Sequence, residues 1–332
     1  MDVTDLLARA TEAGASDLHL AAGELPMLRL DGELQRLDLP CLRSAELYEG
    51  LAPLLEEGRR QCWERGDEQD LALELAPLGR FRLNLFRQLN GPAATFRLIP
   101  RRIATLGELA LEEVYRAIAR HTDGLVLIGG PTGSGKSSTL AALIDQLNRE
   151  RCLHIITLED PVEVIHSGQR CLVNQREIGR HCRDFSHGLR SALRQDPDVI
   201  MIGELRDLET IRLALRAAET GHLVLATVHT RSAVSSIDRL VDVFAAEEKP
   251  LVRAMLAESL RMVVAQVLVK RVGGGRVAAR EVLVATPAVR NLIREGRMAQ
   301  LCSVMQAGAG EGMRTMAGAM SQLKIDGVIG LA

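Results

Sequence analysis

Gly130, Pro131, Thr132, Gly133, Ser134, Gly135, Lys136 and Ser137 follow one another in unbroken order. The spacing fits G-x-x-x-x-G-K-[ST], a loop suited to holding phosphate. Its glycines let successive backbone N–H groups turn inward around an anion. A helix starting at its end adds partial positive charge. Lys136 brings a cation to the outer phosphates, and Ser137 brings a hydroxyl to a divalent metal. Ser138 is next in line and joins the candidate binding residues. The flanks agree with this reading. Residues 125–128 form an unbroken apolar run, as in a strand buried on both faces. Leu140, Leu143, Ile144 and Leu147 then keep helical spacing.

Other chemistry-bearing residues stand just beyond strand-like runs. Residues 153–158 are followed by Glu159, Asp160 and Glu163, and residues 199–202 by Gly203 and Glu204. In open α/β sheets, ligands gather at the carboxyl ends of strands. A carboxylate there can orient or deprotonate an attacking water and help to order Mg²⁺. His222 and His229 bracket the run 223–228. A strand period of two sends them to opposite sides, unless both ends turn toward one cleft. The sequence contains neither H-E-x-x-H nor N-K-x-D. A zinc protease and a guanine-specific site are therefore disfavoured, and ATP is the expected nucleotide.

The elements that must position these residues fall into two groups. Residues 1–100 read as a mixed α+β unit. Val3, Leu6, Leu7 and Ala10 open a helix, and residues 16–20 alternate as a strand. Met27 to Leu34 alternates around Asp31-Gly32, a hairpin signature. Residues 44–57 have helical spacing. Phe81, Leu83 and Leu85 share one strand face, with Arg80, Arg82 and Asn84 opposite. Asn90-Gly91 turns the chain into a partner strand over 94–99. A connector over 101–107 leads to a second domain over 108–332. There strands and helices alternate, the pattern of an α/β sheet covered on both faces. Helical patterns are expected over 209–219 and 251–268, and through most of the last 45 residues around Gly308-Ala309-Gly310.

Composition removes several classes. The formal net charge is −2 and aromatic residues make up 2% of the chain. A sequence-independent grip on nucleic acid and a stacking platform for single strands are both disfavoured. The six cysteines form no C-x-x-C pair, which speaks against a four-thiolate zinc site, and they are expected to be buried thiols. No apolar run approaches the length of a membrane span, and Asp2 and Asp5 stand where a secretion signal would be basic. A cytoplasmic location is expected.

Taken together, these motifs resemble the PilT-type retraction ATPases of type IV pili, within the secretion ATPase superfamily. The resemblance covers nearly the whole chain. It rests on the phosphate loop, on an aspartate box at Glu159-Asp160-Pro161-Val162-Glu163, and on the segment Ile200 to Asp207. It also rests on a histidine box over 220–230 and on Ala288-Val289-Arg290-Asn291-Leu292-Ile293-Arg294-Glu295. It implies a RecA-like P-loop ATPase domain preceded by a PAS-like domain. It implies a homo-hexamer using ATP and Mg²⁺, peripheral at the inner membrane. The implied partners are a pilus platform protein and a second retraction ATPase, with no nucleic acid. In that scheme Glu204 is the catalytic base, Glu163 supports metal and water, and Ser137, Glu163 and Glu204 surround the metal. His229 senses the γ-phosphate, with His222 as a weaker companion. Arg82 and Arg97, and less firmly Arg80, reach a neighbouring subunit's phosphates. An accessory PilU-type ATPase is the nearest alternative, and a DNA-translocating ring ATPase a more distant one.

Overall fold

The structure, a computed structural model, describes residues 2–100 and 102–330. Arg101 of the expected connector and the last two residues lie outside the described residues. The chain divides into two units, Met1–Arg102 and Ile103–Ala332.

The first unit opens with helix α1 (Val3–Glu12), capped by Asp2, whose carboxylate accepts from Thr4 N at 2.8 Å. Its apolar stripe Val3, Leu6, Leu7 and Ala10 is buried. Strands β1 (Asp17–Ala21), β2 (Met27–Leu30) and β3 (Glu33–Arg36) follow. Helices α2 (Ser44–Leu51) and α3 (Glu57–Arg65) precede β4 (Gln69–Leu75), β5 (Gly79–Gln88) and β6 (Gly91–Ile99). The helical pattern of 44–57 is therefore not one helix. Pro53 lacks the N–H a continuing helix needs, and a tight turn over Ala52–Leu54 separates the two pieces. The strands form one antiparallel sheet in the order β3-β2-β1-β6-β5-β4. Phe81, Leu83, Leu85 and Phe96 point into a core shared with Leu47, Leu51 and Trp63. The opposite sheet face is left for polar groups.

The second unit runs α4 (Glu112–Ile118), β7 (Gly124–Gly129), α5 (Lys136–Glu150), β8 (His154–Glu159), β9 (Leu172–Glu177) and α6 (Phe185–Ala192). It continues through β10 (Val199–Ile202), α7 (Leu208–Glu219), β11 (Leu223–Val228), α8 (Ala233–Asp242) and α9 (Lys249–Ser259). It ends with β12 (Leu260–Lys270), β13 (Arg276–Val284), α10 (Pro287–Glu295), α11 (Leu301–Ala307) and α12 (Met316–Ile325). The sheet order is β13-β12-β7-β11-β10-β8-β9, parallel except for the β12–β13 pair. Side chains alternate between two cores. Leu125 and Leu127 face one, while Val126 and Ile128 face the other with Leu140 and Leu143 of α5.

Two further expectations are corrected. The helical pattern of 251–268 breaks at Ser259, and Leu260–Lys270 is the long strand β12. It is rich in β-branched residues and buried on both faces, and such an apolar run has no period that separates helix from strand. The cysteines are also not uniformly buried. Cys171 and Cys182 are buried, whereas Cys41, Cys152 and Cys302 are exposed; all six are free thiols. Among the described residues, no helix is long and apolar enough to cross a membrane.

Candidate functional site

Parallel register brings the C-terminal ends of β7, β11, β10 and β8 to one edge of the sheet. The phosphate loop leaves β7 there and runs directly into α5. A Cβ on Gly130 would stand 2.3 Å from Ser134 Oγ and 2.6 Å from Gln266 O, so this position admits only glycine. Lys136 folds back over the loop, its Nζ donating to Gly130 O at 2.8 Å and Pro131 O at 3.0 Å. Burial pushes the Lys136 pKa down, and the carboxylates of Glu204 and Glu163 oppose that shift. Both carboxylates therefore act on the lysine across the edge of the sheet. Ser137 and Ser138 lie in the first turn of α5.

Glu204 stands two residues past β10. One of its oxygens lies 3.4 Å from His229 Nε2, and the other accepts from Arg206 Nε at 2.7 Å. His229 is the first residue beyond β11, and its Nδ1 lies 3.5 Å from Thr132 Oγ1 in the phosphate loop. Burial and the neighbouring Lys136 lower the His229 pKa, with Glu204 pulling the other way. The imidazole is thus neutral at pH 7 and can donate one hydrogen bond while accepting another. Glu159 accepts from Thr157 Oγ1 at 2.6 Å and Gln175 Nε2 at 3.1 Å, so it is held by β8 and β9.

The remaining expected residues sit elsewhere. His222 is at the opposite end of β11, where its Nδ1 lies 3.0 Å from Ala217 O at the end of α7. The six residues of β11 separate it from His229, about 20 Å of extended chain. It therefore braces a helix terminus and is no companion at the loop. In the first unit, Arg82 and Arg97 are direct cross-strand partners on β5 and β6. Arg82 grips Asp70 through Nε–Oδ1 at 3.1 Å and Nη2–Oδ2 at 2.7 Å. Arg97 Nε donates to Asp17 Oδ1 at 3.0 Å. In α10, Leu292 and Ile293 are buried, Arg290 donates to Ala257 O and Glu258 O at the end of α9, and Arg294 pairs with Glu258.

One residue at the loop was missed. Gln266 of β12 donates to Ser134 O at 2.7 Å and accepts from Thr139 Oγ1 at 2.9 Å. It is 1% exposed and clamps the loop to the first turns of α5. Its sequence signal is a lone amide inside an apolar run.

Residues 1–274 match the family described as type II/IV secretion system protein. The type IV pilus retraction ATPase PilT of Pseudomonas aeruginosa is 51% identical over 329 residues, covering 99% of this chain and 96% of its own. A twitching motility protein of Neisseria gonorrhoeae is 47% identical, covering 92% and 82%. The crystal structure of the pilus retraction motor PilT with bound ADP aligns over 100% of this chain and 95% of its own, with 41% identity and a TM-score of 0.88. With its phosphate loop, Glu204 and His229 gathered at one sheet edge, this chain belongs to the type II/IV secretion system protein family.

Proposed function

We propose that this chain is the subunit of a hexameric ATP-hydrolysing motor that retracts a type IV pilus. The observation that carries the reading is the Lys136, Glu204 and His229 cluster. It occurs on a chain near-identical in extent to a named retraction ATPase. Backbone N–H groups of 132–137 cradle the phosphates, and Lys136 exchanges its own loop carbonyls for the β- and γ-phosphate oxygens. Glu204 takes the proton of the attacking water, and Glu163 helps to orient that water. His229, placed between Glu204 and Thr132, hydrogen-bonds the γ-phosphate.

The donor set fits Mg²⁺. A hydroxyl at Ser137 and carboxylates at Glu163 and Glu204 are hard oxygen ligands, which this ion prefers with water and phosphate oxygens completing its shell. When bound, the ion neutralises charge that develops on the transferring phosphoryl group. Arg82 and Arg97 meet that charge from a neighbouring subunit. The ring works against an inner-membrane platform protein, alongside a second retraction ATPase, and does not engage nucleic acid.

Deleting the gene in its host and imaging the pili tests the reading. Excess surface pili with lost surface motility is the expected result. Bald cells would mean that the motor extends pili, and unchanged pili would remove it from pilus dynamics altogether.

A further inference from the structure

Glu281 is a buried carboxylate, 8% exposed, in the edge strand β13. Among the described residues, neither of its oxygens meets a basic side chain in a hydrogen bond. Oε1 accepts from Ala233 N at 2.6 Å, and Oε2 from Met316 N at 3.1 Å. Ala233 is the first residue of α8, and Met316 the first of α12. One carboxylate thus sits at two helix N-termini at once, where unpaired N–H groups and partial positive charge favour an anion.

Its place in the sheet links it to the nucleotide loop. Glu281 pairs in register with Ala265 of β12, and Ala265 with Gly129 of β7. Gly129 is the last strand residue before the phosphate loop. A Cβ there would lie 2.8 Å from Ser236 Oγ and 2.9 Å from Thr230 Oγ1. Those two hydroxyls are 2.6 Å apart, and Ser236 Oγ donates to Ser232 O at 2.8 Å. Thr230, one residue past His229, and the first turn of α8, which begins four residues past it, are therefore pressed on the root of the loop. A second tie fixes the approach to α12. Arg314 and Val282 exchange two backbone hydrogen bonds, at 2.8 and 2.9 Å.

From this row we infer that Glu281 is a positioning residue for His229, tying the seating of the C-terminal helix α12 to the geometry of the phosphate site. The inference rests on the proposed ATPase reading for its kinetic consequence, though the link itself is a property of the fold. Removing the bond to α12 lets the carboxylate shift toward Ala233. The turn bearing His229 and Thr230 then moves with it.

The test is Met316→Pro. Proline at the first helical position lacks an N–H that the helix does not use internally, its ring Cδ stands where that N–H met Glu281 Oε2 and displaces the carboxylate, and its fixed φ suits that site. Thr315 before it has φ −77° and ψ 159°, an extended conformation that tolerates a following proline. The substitution therefore deletes the Oε2 bond while leaving α12 able to form. In the full-length protein, kcat for ATP should fall on the order of tenfold, the weight of about one hydrogen bond to a charged group. KM should stay within about threefold, because the substrate contacts are untouched. Hydrogen exchange over 229–236, measured without nucleotide, should quicken. Glu281→Gln should give the same two changes, and the double variant should add little to either. Parent turnover and parent exchange in Met316→Pro would overturn the link. So would quickened exchange at 316–325 alone. If Met316→Pro does not fold, the exchange pattern of Glu281→Gln decides, since it must then quicken at both 229–236 and 316–325. An inactive parent enzyme would defeat the ATPase reading but leave the exchange test standing.

Discussion

His229 Nε2 lies 3.4 Å from Glu204 Oε1, joining the ends of two adjacent parallel strands directly over the phosphate loop. The two groups are in polar contact, and burial and Lys136 hold the imidazole below its ordinary pKa. It orients Glu204 while Arg206 fixes the second oxygen. A carboxylate held at both oxygens is aimed. Glu204→Gln keeps the shape and loses the base. ATP binding should persist, and phosphate release should fall by about 10²-fold or more. Turnover at the parent rate would move the base elsewhere.

Gln266 gives a second prediction. Its amide spans Ser134 O and Thr139 Oγ1. Gln266→Leu preserves the bulk but leaves both buried partners unpaired. We expect a loss of about 2 kcal/mol in unfolding free energy, read from denaturant midpoints. ATP should also bind more weakly by equilibrium titration. A variant as stable as the parent, with unchanged nucleotide affinity, would show that the clamp is dispensable.

Gln266 also shows what the sequence concealed. The phosphate loop was legible because its residues are contiguous and its geometry is local. Glu204 and His229 were legible because each ends a short apolar run, and parallel strands must deliver such ends to one edge. Gln266 lies in a segment whose apolar residues fit a helix as well as a doubly buried strand, so its direction could not be read. His222 is a different case. It brackets the same run as His229 and so lies at the opposite end of β11, and its role beside the loop was implied by the resemblance alone. β4, β9 and β13 were not anticipated because each exists through its pairing with a neighbouring strand.

Acid should destabilise the fold through its buried imidazoles. His166 is 7% exposed, and its Nδ1 has no hydrogen-bond partner among the described residues. Burial lowers its pKa below 6.5, with Asp145 opposing weakly. Below pH 6.5 the unfolded chain therefore binds a proton that the folded chain does not. Stability is full above that pH and falls as pH descends from 6.5 toward the folded value. His166→Gln should flatten this dependence in urea midpoints taken between about pH 5 and 7. An unchanged slope would assign the proton uptake to other groups.

The motif in α10 mixes packing with surface chemistry. Leu292 is 9% exposed and Ile293 is fully buried, so Leu292→Ala should cost about 2–5 kcal/mol through cavity formation. Any loss of motility in that variant would be confounded by stability. Arg294 is better suited, being half-exposed and paired with the exposed Glu258. Arg294→Ala should change the unfolding midpoint little. If this surface couples hydrolysis to pilus retraction, ATP turnover should remain while surface motility is lost. Normal motility would leave the helix a structural role only.

Arg82 and Arg97 carry the last prediction. They face each other across β5 and β6, on the side of the sheet opposite Phe81, Leu83 and Leu85. Each is already oriented, Arg82 by Asp70 and Arg97 by Asp17. Such pairs preset the guanidinium planes. An arginine supplied from a neighbouring subunit is worth about 10³–10⁵ in rate for phosphoryl transfer. Lys136→Ala subunits should be inactive for want of a phosphate site, and Arg82→Ala/Arg97→Ala subunits for want of the donor. Mixed rings contain interfaces at which an intact loop meets intact arginines, so phosphate release should partly return. Hetero-oligomers would be verified by pulling down one differently tagged subunit with the other. Verified mixed rings with no recovered activity, at any ratio of the two subunits, would remove the arginines from a role across the subunit boundary. Asp70→Asn and Asp17→Asn then separate orientation from charge. Each keeps an acceptor for its arginine but weakens the grip, so turnover should fall less than with the arginine variants themselves.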